Sequence, residues 1–149
     1  MRGAGNSRRG WWLAAIPVTA LGIAGDAAPA APEAAVITLM QRDLAHLPRK
    51  EALLLSVEYP PGGASLPHRH DAEVFVYVLE GEVVMQLAGQ QPRTLAAGAT
   101  FYESTADVHV RSANASATAP AKLLVFMVKD KGRPVSLPVA PPPAAGDRQ

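Results

Sequence analysis

Three of the four histidines in this 149-residue chain stand where they could hold a metal ion. His68 and His70 are two apart, so on an extended strand both imidazoles project to one face, which is what two ligands to one ion require. Neutral imidazole is the commonest protein ligand for Fe, Mn, Ni, Cu and Zn, and His109, on a later segment, is the candidate for a third bond. The chain has no cysteine, which removes thiolate both as a ligand and as a nucleophile. Two carboxylates complete the candidate chemistry. Glu73, close behind His70, is either a fourth ligand or a carboxylate at the rim. Glu103 is the other candidate for a fourth ligand or a general base, although a partly solvated charge at a strand end is the simpler reading of it. His46, within Leu44-Ala45-His46-Leu47-Pro48, has no motif around it and reads as a surface residue.

Such ligands need strands to aim them, and the sequence supplies short β-rich runs separated by turn signals. Strands are expected near Ala35 to Met40, Ala52 to Tyr59, Val74 to Leu79, Glu82 to Leu87, Thr100 to Glu103, Val108 to Arg111 and Leu123 to Lys129. Glu80-Gly81 marks a hairpin turn, and Pro60-Pro61-Gly62-Gly63, Ala88-Gly89 and residues 113–120 separate other runs. No stretch of a dozen residues has helical periodicity; the best short candidate is Leu39 to Leu47. Many short strands with Gly and Pro turns predict an all-β antiparallel sandwich or barrel. Phe75, Tyr77, Met85, Phe101, Tyr102, Phe126 and Met127 are then ordinary core or pocket-lining residues.

Gly62-x5-His68-x-His70, then Glu73, then Tyr77-Val78-Leu79-Glu80-Gly81, resembles the first motif of the cupin superfamily. Gly98-x5-Ser104-x-Ala106-x2-His109, followed by Asn114, resembles the second, and sixteen residues separate Gly81 from Gly98, as in compact cupins. The resemblance implies a double-stranded β-helix, or jelly-roll barrel, with inward-pointing ligands to one divalent metal: His68, His70, His109 and Glu73. It also implies a small-molecule ligand or substrate and pairing into homodimers through edge strands. Oxygenase, isomerase and decarboxylase chemistry all occur among cupins, as do modules that only bind a small ligand or a metal. A metal-free barrel working through its surface is the blander alternative.

The chain departs from the motifs in places. Glu73 is one residue too close to His70 and one too far from Gly81; counting back from Gly81 puts Val74 at the ligand position, so a bulge would be needed to turn Glu73 inward. In the second motif Ser104 and Ala106 replace Pro and Gly, which predicts a looser turn before His109, and Asn114 comes one place late.

Both ends differ in character from this middle. Arg2, Arg8 and Arg9 precede an apolar run from Trp11 to Ala24 and then small residues, the order of a secretory signal over residues 1–27, with cleavage after Ala27 or Ala30. The run is shorter than the roughly 20 residues a permanent membrane span needs. Ser7-Arg8-Arg9-Gly10-Trp11-Trp12-Leu13 also resembles a twin-arginine export signal, and either route predicts a periplasmic or secreted protein. Residues 28–34 read as an Ala/Pro linker, 35–138 as the folded domain and 139–149 as a disordered Pro/Ala tail. The formal charge of +1 is concentrated in the signal, and from residue 28 onward 11 basic face 12 acidic side chains, which offers nothing to nucleic acid.

Overall fold

The computed structural model describes residues 30–140. The expected export signal, residues 1–27, and the part of the expected tail from 141 onward lie outside them. Among the described residues there is no helix, only strands. In chain order these are β1 (Ala35–Asp43), β2 (Lys50–Tyr59), β3 (Ala64–Ser65), β4 (His68–Arg69), β5 (Ala72–Glu80), β6 (Glu82–Leu87), β7 (Arg93–Ala96), β8 (Thr100–Glu103), β9 (Val108–Asn114), β10 (Ala121–Asp130) and β11 (Leu137–Pro138). One antiparallel sheet runs β1-β2-β10-β5-β8, and the other runs β11-β4-β9-β6-β7 with β3 also paired to β9. This is the all-β antiparallel architecture that the strand pattern predicts, in the double-stranded form that the resemblance implies.

Alternation along each strand decides what faces inward. On β5, Ala72, Val74, Val76 and Val78 are buried while Phe75, Tyr77 and Leu79 face out; on β10, Leu123, Val125 and Met127 are buried between exposed or half-exposed neighbours. Val83, Met85 and Leu87 of β6 meet them from the other sheet. Gly81 turns β5 into β6 with φ at 71°, and a Cβ there would come within 2.7 Å of the Pro120 carbonyl, so glycine is required by both backbone and space.

The expected seven strands are all present, and the additional ones are short or polar. β3, β4 and β11 have two residues each, too few to show a period, and β7 buries only Leu95. The segment Leu39 to Leu47 holds no helix: β1 continues to Asp43, and two tight turns follow, closed by Leu47 N to Leu44 O at 3.0 Å and Lys50 N to Leu47 O at 2.7 Å. The last residues of the expected linker lie on the barrel, with Pro32 O accepting from Ala64 N and Ala34 packed against the core.

Past β10, Gly132 turns the chain back, with φ at 72°, and residues 133–139 cross the second sheet as a strap. Leu137 pairs with Arg69 and Pro138 with His68, and Val139 N donates to Pro67 O at 3.1 Å. The root of the strap is a buried ion pair, Glu51 with Lys129, each 3% exposed. Glu51 also accepts from Gln41 Nε2 and Gly132 N, while Lys129 Nζ donates to the Arg133 carbonyl. Because both charges are paired and further hydrogen-bonded, burial is tolerated, and the geometry of the returning chain is fixed.

Candidate metal centre

The cross-strand register brings the three sequence-predicted histidines together. His68 on β4 is the direct partner of His109 on β9, and His70 follows two residues on from His68, on the same face. Their rings stand close: His68 to His70 at 4.9 Å between centroids and His68 to His109 at 5.3 Å. All three line one cavity of about 250 Å³ between the sheets.

Each imidazole is held by its Nδ1. His68 Nδ1 lies 2.7 Å from the Leu66 carbonyl, and His70 Nδ1 lies 2.6 Å from the Val135 carbonyl of the strap. A carbonyl can only accept, so both rings carry a proton on Nδ1, which leaves Nε2 as the ring atom available to an ion. His109 Nδ1 faces Glu103 Oε2 at 3.2 Å, and its Nε2 is buried with no hydrogen-bond partner. Phe101 stacks on the His109 ring at 5.7 Å and fixes its plane. Burial, together with its two histidine neighbours, holds His68 below its ordinary pKa, in the neutral form that a ligand needs.

Glu103 is the residue the sequence undersold. It is 4% exposed rather than solvated, and it enters the cavity from the opposite sheet, where it pairs with Val74 across β5 and β8. Its carboxylate lies 3.2 Å from His109 Nδ1 and 3.7 Å from His70 Nε2. Burial pushes its carboxyl up, but the His109 hydrogen bond and the three imidazoles together bring it below the usual value, so it is ionised. Its cross-strand partner Val74 stands at the very position at which the first motif expects a carboxylate, a pairing that no residue adjacent to Glu103 reports in the sequence.

Glu73 does not join this group. The phase of β5 is set by Ala72, Val74, Val76 and Val78, all buried, so Glu73 points to the outer face, where the Tyr102 hydroxyl donates to it. No bulge at that point turns it inward: the register irregularity of β5 against β10 falls between Lys122 and Leu123, at the far end of the strand. The expected fourth ligand is therefore corrected, Glu73 being an outer-face carboxylate and Glu103 the one beside the histidines. The turn before His109 is likewise not loose, since Asp107 Oδ2 accepts from both the backbone N and the hydroxyl of Ser104, at 2.7 and 2.8 Å. Asn114 is buried and donates its amide to the carbonyls of Pro60 and Ala119, with that of Tyr59 farther off at 3.4 Å, tying the turn after β2 to the loop after β9. His46 is exposed on a turn, as expected.

Among the described residues no group of three or more His, Asp or Glu side chains is already arranged to hold a metal ion. The donor set nevertheless fits a divalent ion: three imidazoles oriented through Nδ1, one orphaned buried Nε2 and one ionised carboxylate, all at a single cavity. Outer partners on the second ring nitrogen are what metal-ligating histidines ordinarily have.

Two antiparallel sheets closed around an inward cluster of three histidines and a carboxylate define a double-stranded β-helix protein. The chain belongs to the cupin superfamily: residues 55–127 match the Cupin domain family. Among solved structures it is similar to TT1209 of Thermus thermophilus, with 30% identity, a TM-score of 0.54, and 65% of this chain and 84% of that one covered. An oxalate oxidase in complex with the substrate analogue glycolate is 25% identical at a TM-score of 0.55, covering 71% of this chain and 55% of that enzyme. A double-stranded β-helix protein of Klebsiella pneumoniae, 17% identical at a TM-score of 0.57 over 76% of this chain and 90% of that one, shares the fold. A comparison with curated protein sequences gives no match.

Proposed function

We propose that this chain is an exported cupin that binds one divalent metal ion through His68, His70 and His109, with Glu103 beside them, and acts as a metal-dependent enzyme on a small organic molecule. The observation that carries the reading is the orientation of the imidazoles: every Nδ1 is spent on an acceptor, and His109 Nε2 is left buried and unpartnered. Leaving such a nitrogen unpaired costs about 1–3 kcal/mol, a cost that a bound ion removes. Similarity to an oxalate oxidase over the same domain supports catalysis rather than storage of the metal. Bound there, the ion would supply Lewis acidity, or dioxygen chemistry if it were a redox metal such as iron. The chain's own contribution is to orient the ligands through Leu66, Val135 and Glu103 and to exclude water with the walls of the cavity. Glu103 can also accept a proton at its carboxylate, being ionised and within the cavity. A non-catalytic metal- or ligand-binding module is the alternative, favoured by the absence, among the described residues, of a second carboxylate inside the cavity.

Export to the periplasm or beyond is supported by the paired arginines and the apolar run of the first 27 residues. Homodimer formation is supported by β1, an edge strand exposed along all nine residues with Val36, Ile37, Leu39 and Met40 each about half exposed. One preparation tests all three parts. Full-length protein is expressed, recovered from the exported fraction without chelator or His-tag, and analysed for metal by mass spectrometry. About one ion per chain, a new N-terminus at Ala28 or Ala31, and a solution mass of two chains are expected. Protein that stays empty after exposure to Fe(II), Mn, Ni, Cu and Zn would overturn the metal reading; an uncleaved N-terminus would overturn export, and a monomer mass would overturn pairing.

A further inference from the structure

The cavity has a second polar end, which the cross-strand register sets apart from the histidines. His68 faces His109 where β4 meets β9, and Ser65 faces Ser112 where β3 meets β9. Three residues of β9 lie between the two pairs, a rise of about 10 Å. Tyr59, Ser65 and Ser112 line the cavity with the histidines, and much of the remaining wall is apolar: Leu55, Val57, Val76, Leu123, Val125 and Met127.

The hydroxyls at this end form a chain of fixed polarity. Tyr59 Oη lies 2.6 Å from Ser112 Oγ and 3.0 Å from Ser65 Oγ, and Ser112 Oγ lies 3.3 Å from Met85 Sδ. A thioether sulfur has no proton to give, so Ser112 donates to Met85. With that proton spent, Ser112 accepts from Tyr59, and Tyr59, its own proton spent in turn, accepts from Ser65. All three protons therefore run toward Met85. Tyr59 and Ser112 are buried, whereas Ser65 is the half-exposed outer member, and its oxygen is left with lone pairs and no free proton. Burial, first of all, raises the Tyr59 pKa, so the phenol keeps the proton that this chain needs.

From this polarity we infer that Ser65 sets the ligand specificity of the cavity. It accepts a hydrogen bond from a hydroxyl or N–H group at the far end of a small apolar ligand whose other end reaches the histidines. This rests on the proposed metal centre for that other end and names the ligand class. A carbonyl oxygen placed at Ser65 would set lone pair against lone pair. Ser65 could turn its proton toward such an oxygen only by giving up its bond to Tyr59, so a donor is preferred to an acceptor. A volume of about 250 Å³ suits one ring or a short chain, since a dry cavity of about 150 Å³ already holds benzene and drug-sized pockets begin at roughly 300 Å³.

Three para-substituted benzoates test this by titration calorimetry at neutral pH, on metal-exposed protein whose metal content is measured in the same sample. Each carries a carboxylate for the metal end. At the far end para-hydroxybenzoate has a donor, para-formylbenzoate an acceptor, and para-fluorobenzoate a small group that cannot donate. The hydroxyl compound is expected to bind about three- to tenfold tighter than either of the others. The formyl compound binding as tightly as the hydroxyl compound overturns the inference, as does failure of all three to bind, whatever the metal content. In Ser65→Ala the preference is expected to vanish, and in Ser65→Thr, which keeps the hydroxyl, to persist. A preference that survives Ser65→Ala, or that is lost equally in Ser65→Thr, overturns the anchor. Protein that takes up no metal fails the metal reading on that measurement alone, and the hydroxyl-to-fluoro ratio still decides the anchor.

Discussion

In the His109→Ala variant, added divalent metal is expected to leave the melting temperature where it was, while the wild-type protein rises by about 10–20 °C under the same conditions. The wild-type figure follows from linkage. An ion at a hundred times its dissociation constant adds about 2.7 kcal/mol to the folded state, and each kcal/mol moves the midpoint of a domain of this size by roughly 4–8 °C. His109 is the ligand to remove because it is 3% exposed, locked against Phe101, and has the unpartnered Nε2. Its loss also strips Glu103 of its 3.2 Å partner, leaving a buried carboxylate with only His70 Nε2 at 3.7 Å. The metal-free variant should therefore melt below the metal-free wild type, by an amount equivalent to about 1–3 kcal/mol or more. The two effects separate cleanly, since only the metal-induced rise reports ligation. A variant that gains as much from metal as the wild type does would show that His109 is a packed core histidine and nothing more.

Much of this was readable beforehand, and the parts that were not share a cause. The alternation of Val74, Val76 and Val78 with Phe75, Tyr77 and Leu79 is local, so β5 and its facing were open to a period-two reading, and that reading, followed strictly, already sends Glu73 outward. His68 and His70 are tied to one face by their spacing, and His109 by its distance from Gly98. Glu103 was misjudged because its burial comes from Val74, a partner 29 residues away in the sequence, and nothing adjacent to Glu103 reports that pairing. The turn at Ser104 was misjudged for a related reason. A side-chain bond from Asp107 replaces the rigidity that the motif takes from Pro and Gly, and it leaves no hydrophobic or glycine signal. The strap lies inside the expected folded domain, but its pairing with β4 was the hardest feature to foresee. Its sequence, from Arg133 to Pro138, has the composition of a loose tail, and its bonds to the barrel run mainly through backbone atoms, which every residue type carries alike.

That strap gives the second large expectation. A chain ending at Gly132 is expected to bind metal about 10–100-fold more weakly than the full-length protein, although it keeps all three histidines and Glu103. The reason lies in what His70 loses. Its Nδ1 proton goes to the Val135 carbonyl at 2.6 Å, and no side-chain substitution can delete a carbonyl, so truncation is the direct test. Without that acceptor the His70 ring is free to change tautomer and to rotate, and the Nε2 lone pair is no longer held toward the cavity. β4 loses the two residues of β11 that pair with Arg69 and His68, which loosens the backbone beneath both ligands of the His-x-His pair. Metal affinity by competition with a chelator, read beside the nitrogen chemical shifts of His70, distinguishes ligand orientation from simple loss of cover. Weakened binding with a mixture of His70 tautomers would establish the strap as the element that aims the ligand. Unchanged affinity in a protein that merely melts earlier would reduce the strap to packing, and would return to the histidines themselves the whole task of holding the ion.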